Sequence, residues 1–362
     1  MFFGWNAFVR TLATSATICL HLIGLQALGP GYSQGMKSLS PLGMVGSIRR
    51  ERPAAEPSAL AEPRKPGWKL AGAAALSCAG LLATPAAAQD SAQVKVLSLN
   101  VWLDCKDGVD GIAEVIRASQ ADVVGLQEVD QCAGQLSEKL GYSLVRQDEG
   151  RSMLTTLPVE SITPNRHGMV VRLSNGQPLA VFNAHLYHTP YQPYQLLGIP
   201  YGDGAFIHTE AEAQEQSRLA RGSDVESILK DMSGVNVPIV LTGDFNEPSH
   251  LDWTARAAEA GRHPIKVEWP VSKSFAEAGF QDSYRQVFPD EVAHPGLTWS
   301  PRTAPDDPKD HHDRLDFVLF RGQGVQAEKV SIVGEKSSQA DIVVSPYPTD
   351  HRGVLAELRV FD

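Results

Sequence analysis

The sequence predicts an α+β fold in which layered sheets are covered by helices. Three observations carry this. Apolar runs of strand length recur at residues 94–101, 121–127, 238–242, 315–320 and 354–360. Helical periodicity lies between some of them: Val109, Ile112, Ala113 and Ile116 fall on one face, as do Val225, Ile228, Leu229 and Met232. The strand runs are nearly continuous rather than alternating, the pattern of strands buried on both faces.

Taken in order, residues 94–127 supply strand, helix and strand in about thirty residues, which suggests a crossover unit. Two strands between residues 170 and 184 turn at Ser174-Asn175-Gly176-Gln177, where Asn-Gly is a strong hairpin signal. Residues 186–217 are rich in Tyr, Pro and Gly and read as a long loop of functional type. Arg218 and Arg221 lie in or before the next helix and read as part of its solvated face.

The first 88 residues read as targeting rather than fold. Arg64, Lys65 and Lys69 make a basic start, and residues 70–83 are an apolar run too short to span a bilayer. Ala86 and Ala88 place small residues before a cleavage site at Gln89. This is the three-part layout of a secretory signal peptide over about 64–88, so the chain is expected to be secreted or periplasmic. A second apolar stretch lies between Leu12 and Leu28, and a Pro/Glu/Arg-rich linker runs over 49–66. Two export-like segments in tandem suggest a natural start nearer residue 60, the alternative being a membrane anchor at 12–28. The expected division is a targeting region, 1–88, and one catalytic domain, 89–362.

The net charge is −10. The first 88 residues hold eight Lys/Arg and three Asp/Glu, which leaves 24 basic and 39 acidic groups, net −15, in the remainder. Such a surface disfavours non-specific nucleic-acid binding, which draws its affinity from phosphate neutralisation. It does not exclude a nuclease, because bound metal reverses the local sign. The four cysteines (Cys19, Cys78, Cys105 and Cys132) make no CxxC, and GxxxxGK[ST], HExxH and GxSxG are absent. Cys105 and Cys132 are the only two after the cleavage site, each a few residues past a polar strand end, and are a candidate disulfide.

Polar residues recur at the ends of the apolar strands. Asn100 closes LSLN, Glu128 follows LQ, and His185 closes FNAH. Asp244 and Asn246 stand in GDFN, Asp316 in RLDF, and Asp350 and His351 in TDH. Singly, each has an ordinary reading as a turn or structural residue. Together they are a hard, oxygen-rich set that suits Mg²⁺ or Mn²⁺, or Ca²⁺, rather than Zn²⁺. Carboxylates so gathered repel one another unless a cation sits among them, as in metal-assisted attack of water on phosphorus.

The order LN…QE…NAHL…GDFN…RLDF…TDH, running from about Val94 to Val360, resembles the endonuclease/exonuclease/phosphatase (DNase I-like) superfamily. The resemblance implies a four-layer αββα sandwich with its site at the sheet edges. It implies Glu128 as principal metal ligand, with Asn100 and Asp350 as further metal or metal-water ligands. His351 would be polarised by Asp316, Asp244 would orient or deprotonate the water, Asn246 would hold a phosphoryl oxygen, and His185 would contact phosphate. Whether Asp244 or the Asp316–His351 pair is the base stays open. Tyr191, Tyr194 and His312 are candidate substrate-binding residues, while Glu247 reads as a loop cap and His311 as part of a solvated polar loop.

The function expected is an exported, divalent-metal-dependent phosphoester hydrolase, most simply a phosphodiesterase, acting on a small or lipid-like phosphoester. The alternatives are an extracellular DNase I-like endonuclease with nucleic acid as substrate, and an inactive binding module on the same fold. No stable protein partner is predicted.

Overall fold

The computed structural model describes residues 91–148 and 150–361. The expected leader, the 12–28 stretch and the linker lie outside the described residues. In chain order the elements are β1 (Ser91–Asn100), α1 (Val109–Ser119), β2 (Val123–Gln127), α2 (Cys132–Leu140), β3 (Ser143–Arg146), β4 (Arg151–Thr155) and β5 (Val159–Ile162). There follow β6 (Gly168–Arg172), β7 (Pro178–His185), α3 (Gln192–Leu197), α4 (Glu210–Met232), β8 (Ile239–Asp244), α5 (Ala255–Glu259) and α6 (Pro270–Glu277). The chain continues through β9 (Gln281–Asp282), α7 (Ser283–Val287), β10 (Asp316–Arg321), β11 (Val325–Gly334), β12 (Ile342–Val343) and β13 (Gly353–Phe361).

The strands form a seven-stranded sheet, in the order β12-β11-β13-β1-β2-β4-β3, and a six-stranded sheet, in the order β5-β6-β7-β8-β10-β9. Alternate side chains of a strand point to opposite faces, and here both faces are apolar. Val94, Val96, Val123 and Met153 of the first sheet meet Met169, Val181, Val240 and Phe320 of the second in one inter-sheet core. On the outer face of the first sheet, Ile112, Ala113 and Ile116 of α1 and Leu136 of α2 pack on Leu97, Leu99 and Leu126. On that of the second, Val225, Ile228 and Met232 of α4 and Phe275 of α6 pack on Phe182, Leu241 and Phe317. Helix, sheet, sheet, helix is the expected four-layer αββα sandwich. No helix among the described residues is long and apolar enough to cross a membrane.

The crossover unit forms as expected: α1 carries the chain from β1 to a parallel β2. The hairpin joins β6 to β7, with Gly176 at φ 88° in its turn. The segment after His185 differs from the expected loop, because it holds α3 and the first turns of α4. Pro193 starts α3. Thr209 and Glu212 close a reciprocal capping box at the start of α4. Arg221 is not solvated: it is fully buried and donates to Gln192 Oε1 (2.7 Å) and the Pro190 carbonyl (3.2 Å). Its guanidinium ties α4 to the segment after His185, a contact that helical periodicity does not report.

Candidate active site

Strand register gathers the polar strand ends along one edge of the sandwich. In the second sheet, Asp244 pairs with His185 across parallel β7–β8 and with Asp316 across antiparallel β8–β10. In the first, Asn100 pairs with Gln127, the residue before Glu128. Asp350 and His351 immediately precede β13, the other neighbour of β1.

Asp244, almost fully buried, sits at the centre. Its Oδ2 accepts from Asn100 Nδ2 (3.0 Å) and lies 3.7 Å from His351 Nε2 and 3.8 Å from His185 Nε2. Its Oδ1 accepts from the Asn246 amide (2.8 Å), and Asn246 Nδ2 donates to the Leu186 carbonyl (3.0 Å). His351 Nδ1 lies 2.9 Å from Asp316 Oδ2, both groups buried. Burial opposes charging of His351, but Asp316 and Asp244 outweigh it and push the imidazole up to about 10.

Glu128 stands on the other sheet at φ 53°. Its Oε1 accepts from Asn100 Nδ2 (3.2 Å) and its Oε2 from the Leu103 amide (2.8 Å). That amide is presented by a left-handed turn in which Trp102, Leu103, Asp104 and Cys105 all have φ between 44° and 60°. Left-handed helical backbone costs roughly 1–2 kcal/mol per L-residue, so surrounding contacts must hold it. They do. Asp104 Oδ1 accepts the Asp130 and Cys132 amides (2.8 and 2.9 Å), the Asp104 amide donates to the Glu128 carbonyl (2.8 Å), and Cys105 and Cys132 are joined by a disulfide.

A buried polar bridge sets one sheet against the other beneath the site. Asn183 Oδ1 accepts from Gln127 Nε2 (2.6 Å) and Thr242 Oγ1 (3.0 Å), while its Nδ2 donates to the Leu126 carbonyl (2.9 Å) and Gln147 Oε1 (3.0 Å). Gly125 permits the approach, since a Cβ there would lie 2.0 Å from Thr242 Oγ1. The bridge spaces Glu128 from Asp244.

A model of the endonuclease/exonuclease/phosphatase family matches residues 97–351 of this sequence. The chain belongs to this family. Members of the endonuclease/exonuclease/phosphatase family hydrolyse phosphoesters, generally with a divalent metal, and this chain is a phosphoester hydrolase. It is 28% identical over 295 residues to the uncharacterized protein F14F9.5 of Caenorhabditis elegans, covering 73% of this chain and 90% of that one. Among solved structures it is similar to an endonuclease/exonuclease/phosphatase from Beutenbergia cavernae, at 19% identity, 75% and 72% coverage and TM-score 0.47. It is also similar to the human Nocturnin catalytic domain, at 16% identity, 76% and 98% coverage and TM-score 0.47.

The residues fit the divalent ion that the endonuclease/exonuclease/phosphatase family generally requires. Asp350 Oδ1 is buried without a hydrogen-bond partner. Burial raises the Asp350 carboxyl first; His351 draws it back, Glu128 and Asp244 add to it, and it stands at about 6. An orphaned carboxylate oxygen sharing a cavity with Glu128 is the environment that a cation completes. Asp244, Asp316 and His351 also bring one ligand atom each within 4.8 Å of one another. There, however, His351 Nδ1 and Asp316 Oδ2 are committed to each other.

The structure thus gathers Asn100, Glu128, His185, Asp244, Asn246, Asp316, Asp350 and His351 at one edge. Glu128, Asn246, Asp350 and His351 line a cavity of about 440 Å³, walled by Trp102, Leu103, His188, Tyr201 and Trp299. Tyr191 and Tyr194 also line it, although both are largely buried and donate their hydroxyls to Asp313 and Asp310. His312 is placed elsewhere. It lines a neighbouring cavity, because its Nε2 is held by Thr303 Oγ1 (2.9 Å) and Asp310 Oδ2 (3.5 Å). Glu247 is structural, buried and accepting from Ser217 and the Val271 amide. Sequence reasoning missed Gln127 and Asn183, whose polarity inside apolar strands was the available signal. It also missed Trp299, whose ring lies 4.9 Å from that of His351.

Proposed function

We propose that this chain is an exported, Mg²⁺- or Mn²⁺-dependent phosphodiesterase acting on a small or lipid-like phosphoester. The carrying observation is the cavity itself: carboxylates and imidazole at its base, aromatic and apolar walls above, and Lys309 as the one Lys or Arg in its lining. Such a space suits a compact leaving group with apolar surface better than a duplex, which needs several Lys or Arg contacts to phosphate. Export draws support from the three-part leader in the sequence and from the disulfide, a bond that persists in oxidising compartments.

Glu128 and Asp350, with Asn100 beside them, would hold the ion. When bound, it supplies positive charge that stabilises the phosphoryl oxygens and the nucleophile. Asp244, oriented by Asn100 and the Asn246 amide, accepts a proton from the attacking water. The water oxygen bonds to phosphorus as the bond to the leaving oxygen breaks. His351, turned by Asp316 so that Nε2 faces the site, and His185, on the other side of Asp244, donate hydrogen bonds to phosphoryl oxygens. This division favours Asp244 as the base, because His351 is held in its charged form by two carboxylates.

A second reading, a nuclease, draws on a polar cavity of about 410 Å³ that shares His185 and is lined by Arg151, Arg166 and His167. A further backbone phosphate would fit that chemistry. The deciding experiment compares kcat/KM for bis-p-nitrophenyl phosphate, p-nitrophenyl phosphate, a phosphocholine lipid, plasmid DNA and RNA with Mg²⁺ or Mn²⁺ at low and high salt. Preference for a small or lipid diester with little salt dependence supports the first reading. Fastest cleavage of nucleic acid, falling steeply with salt, overturns it in favour of the second.

A further inference from the structure

Beside the catalytic cavity lies another, of about 470 Å³, on the far side of the loop that leads into β10. Three ligand-type atoms from two separate segments converge in its wall. His263 Nδ1 lies 3.2 Å from His311 Nε2. Asp313 Oδ1 lies 3.9 Å from that His263 nitrogen and 3.8 Å from that His311 nitrogen. A triangle with these edges has a circumscribed radius of about 2.1 Å, so one point stands at zinc–nitrogen and zinc–oxygen bonding distance from all three atoms.

We propose that His263, His311 and Asp313 form a second metal site, for an imidazole-binding divalent transition ion of the zinc class. It is separate from the carboxylate-rich site of the reaction and does not depend on the substrate assigned above. Two imidazoles and one carboxylate are a donor set that selects Zn²⁺, Co²⁺ or Cu²⁺ over Mg²⁺. Three protein ligands beside a cavity leave a position for water and a path of entry.

The ligands are also held from behind, as metal ligands usually are. Asp313 Oδ1 accepts from Trp253 Nε1 (2.8 Å), and Oδ2 accepts from the Tyr191 hydroxyl (2.6 Å). The His263 ring is stacked on Trp253, with centroids 4.2 Å apart. Arg285 and Arg314, which line the same cavity, do not present free positive charge to it, because both are paired with Asp252 and Arg314 also with Asp282. A direct hydrogen bond between the two imidazoles accounts for the 3.2 Å separation but not for a carboxylate oxygen equidistant from both. Because Asp313 also holds Tyr191, an ion here would brace one wall of the catalytic cavity.

The test titrates Co²⁺ into the chelator-treated full chain with Mg²⁺ in large excess, followed by visible d–d absorption. One Co²⁺ per chain, displaced by Zn²⁺, is expected. Its affinity should fall about 10- to 100-fold or more in His311→Ala and in His263→Gln, and stay unchanged in Glu128→Ala. Absence of binding under excess Mg²⁺, wild-type binding by either histidine variant, or loss of binding in Glu128→Ala would each overturn the proposal. X-ray absorption of the zinc-loaded wild-type chain reads the site without any substitution. Two imidazole ligands support it, and an oxygen-only shell refutes it.

Discussion

Asp316 Oδ2 and His351 Nδ1 lie 2.9 Å apart in a fully buried pair, which turns His351 Nε2 toward Asp244 Oδ2 at 3.7 Å. The pair fixes both the tautomer and the charge of the imidazole. Asp316→Asn is therefore expected to lower kcat by roughly 10²- to 10⁴-fold with the fold intact. The pH profile gives the sign. His351 acts charged, and its pKa is raised to about 10, so activity is lost as pH rises through that value. Removing the Asp316 charge lowers the pKa and moves the alkaline limb to lower pH. A pH–rate profile with an unmoved limb and an unchanged rate would eliminate the orienting role.

Glu128 and Asp350 share the cavity in which Asp350 Oδ1 has no partner. Excess EDTA should abolish hydrolysis, and Mg²⁺ or Mn²⁺ should restore it. Glu128→Ala should weaken the metal dependence as well as the rate, whereas His351→Ala should lose several orders of magnitude in rate with Mg²⁺ affinity largely kept. The measurement is activity against metal concentration for each variant. Undiminished turnover in EDTA would refute metal assistance.

Asn183 joins the two sheets beneath the candidate site through hydrogen bonds to Gln127, the Leu126 carbonyl, Gln147 and the Ser152 carbonyl. Asn183→Ala removes the donor to the buried Gln147 Oε1 and the acceptor that Gln127 and Thr242 share, which should cost about 1–3 kcal/mol of stability. If the sheets then shift by about 1 Å, kcat falls roughly a hundredfold. Denaturant unfolding and kcat on one preparation check both. Lost stability with unchanged kcat would reduce Asn183 to a structural role.

The Cys105–Cys132 disulfide closes a loop across 27 positions and clips the left-handed turn that presents the Leu103 amide to Glu128. Cys132→Ser should lower stability by about 2–4 kcal/mol. Because the turn carries strained backbone, the variant should also need more Mg²⁺ for half-maximal activity. Thermal unfolding and a Mg²⁺ titration, with and without reductant, test this. An unchanged Mg²⁺ requirement would separate the bridge from the metal loop.

Asp252 is buried between Arg285 and Arg314. Burial raises its pKa, but the two guanidiniums outweigh burial and hold it below the ordinary carboxylate value. A depressed folded-state pKa adds stability above the unfolded value of about 3.9, and that stability is lost as pH falls through the folded one. Asp252→Asn should cost about 3–5 kcal/mol near neutrality, because it leaves the buried Arg285 without its carboxylate partner and Arg314 with Asp282 alone. It should also flatten the acid limb of stability against pH. Unfolding curves from neutral pH downward read both effects.

Local pattern was enough to place the strand–helix–strand unit, the Asn-Gly hairpin and the last strand. Each depends on periodicity or turn chemistry written within a dozen residues. The motif residues Asn100, Glu128, Asp244, Asp316 and His351 were also legible, because each stands at one end of an apolar strand, where no local packing requires a polar group. Tertiary structure alone decided the rest. Register brought His185, Asp244 and Asp316 level across three strands. Burial turned Arg221 inward, and contacts with Thr303 and Asp310 set His312 in a neighbouring cavity. The Gln127–Asn183 bridge and the His263–His311–Asp313 cluster join segments 56 and about 50 residues apart. Contacts of that range leave no period in the sequence. Each side chain had an ordinary reading alone, and only the fold put its partner within reach.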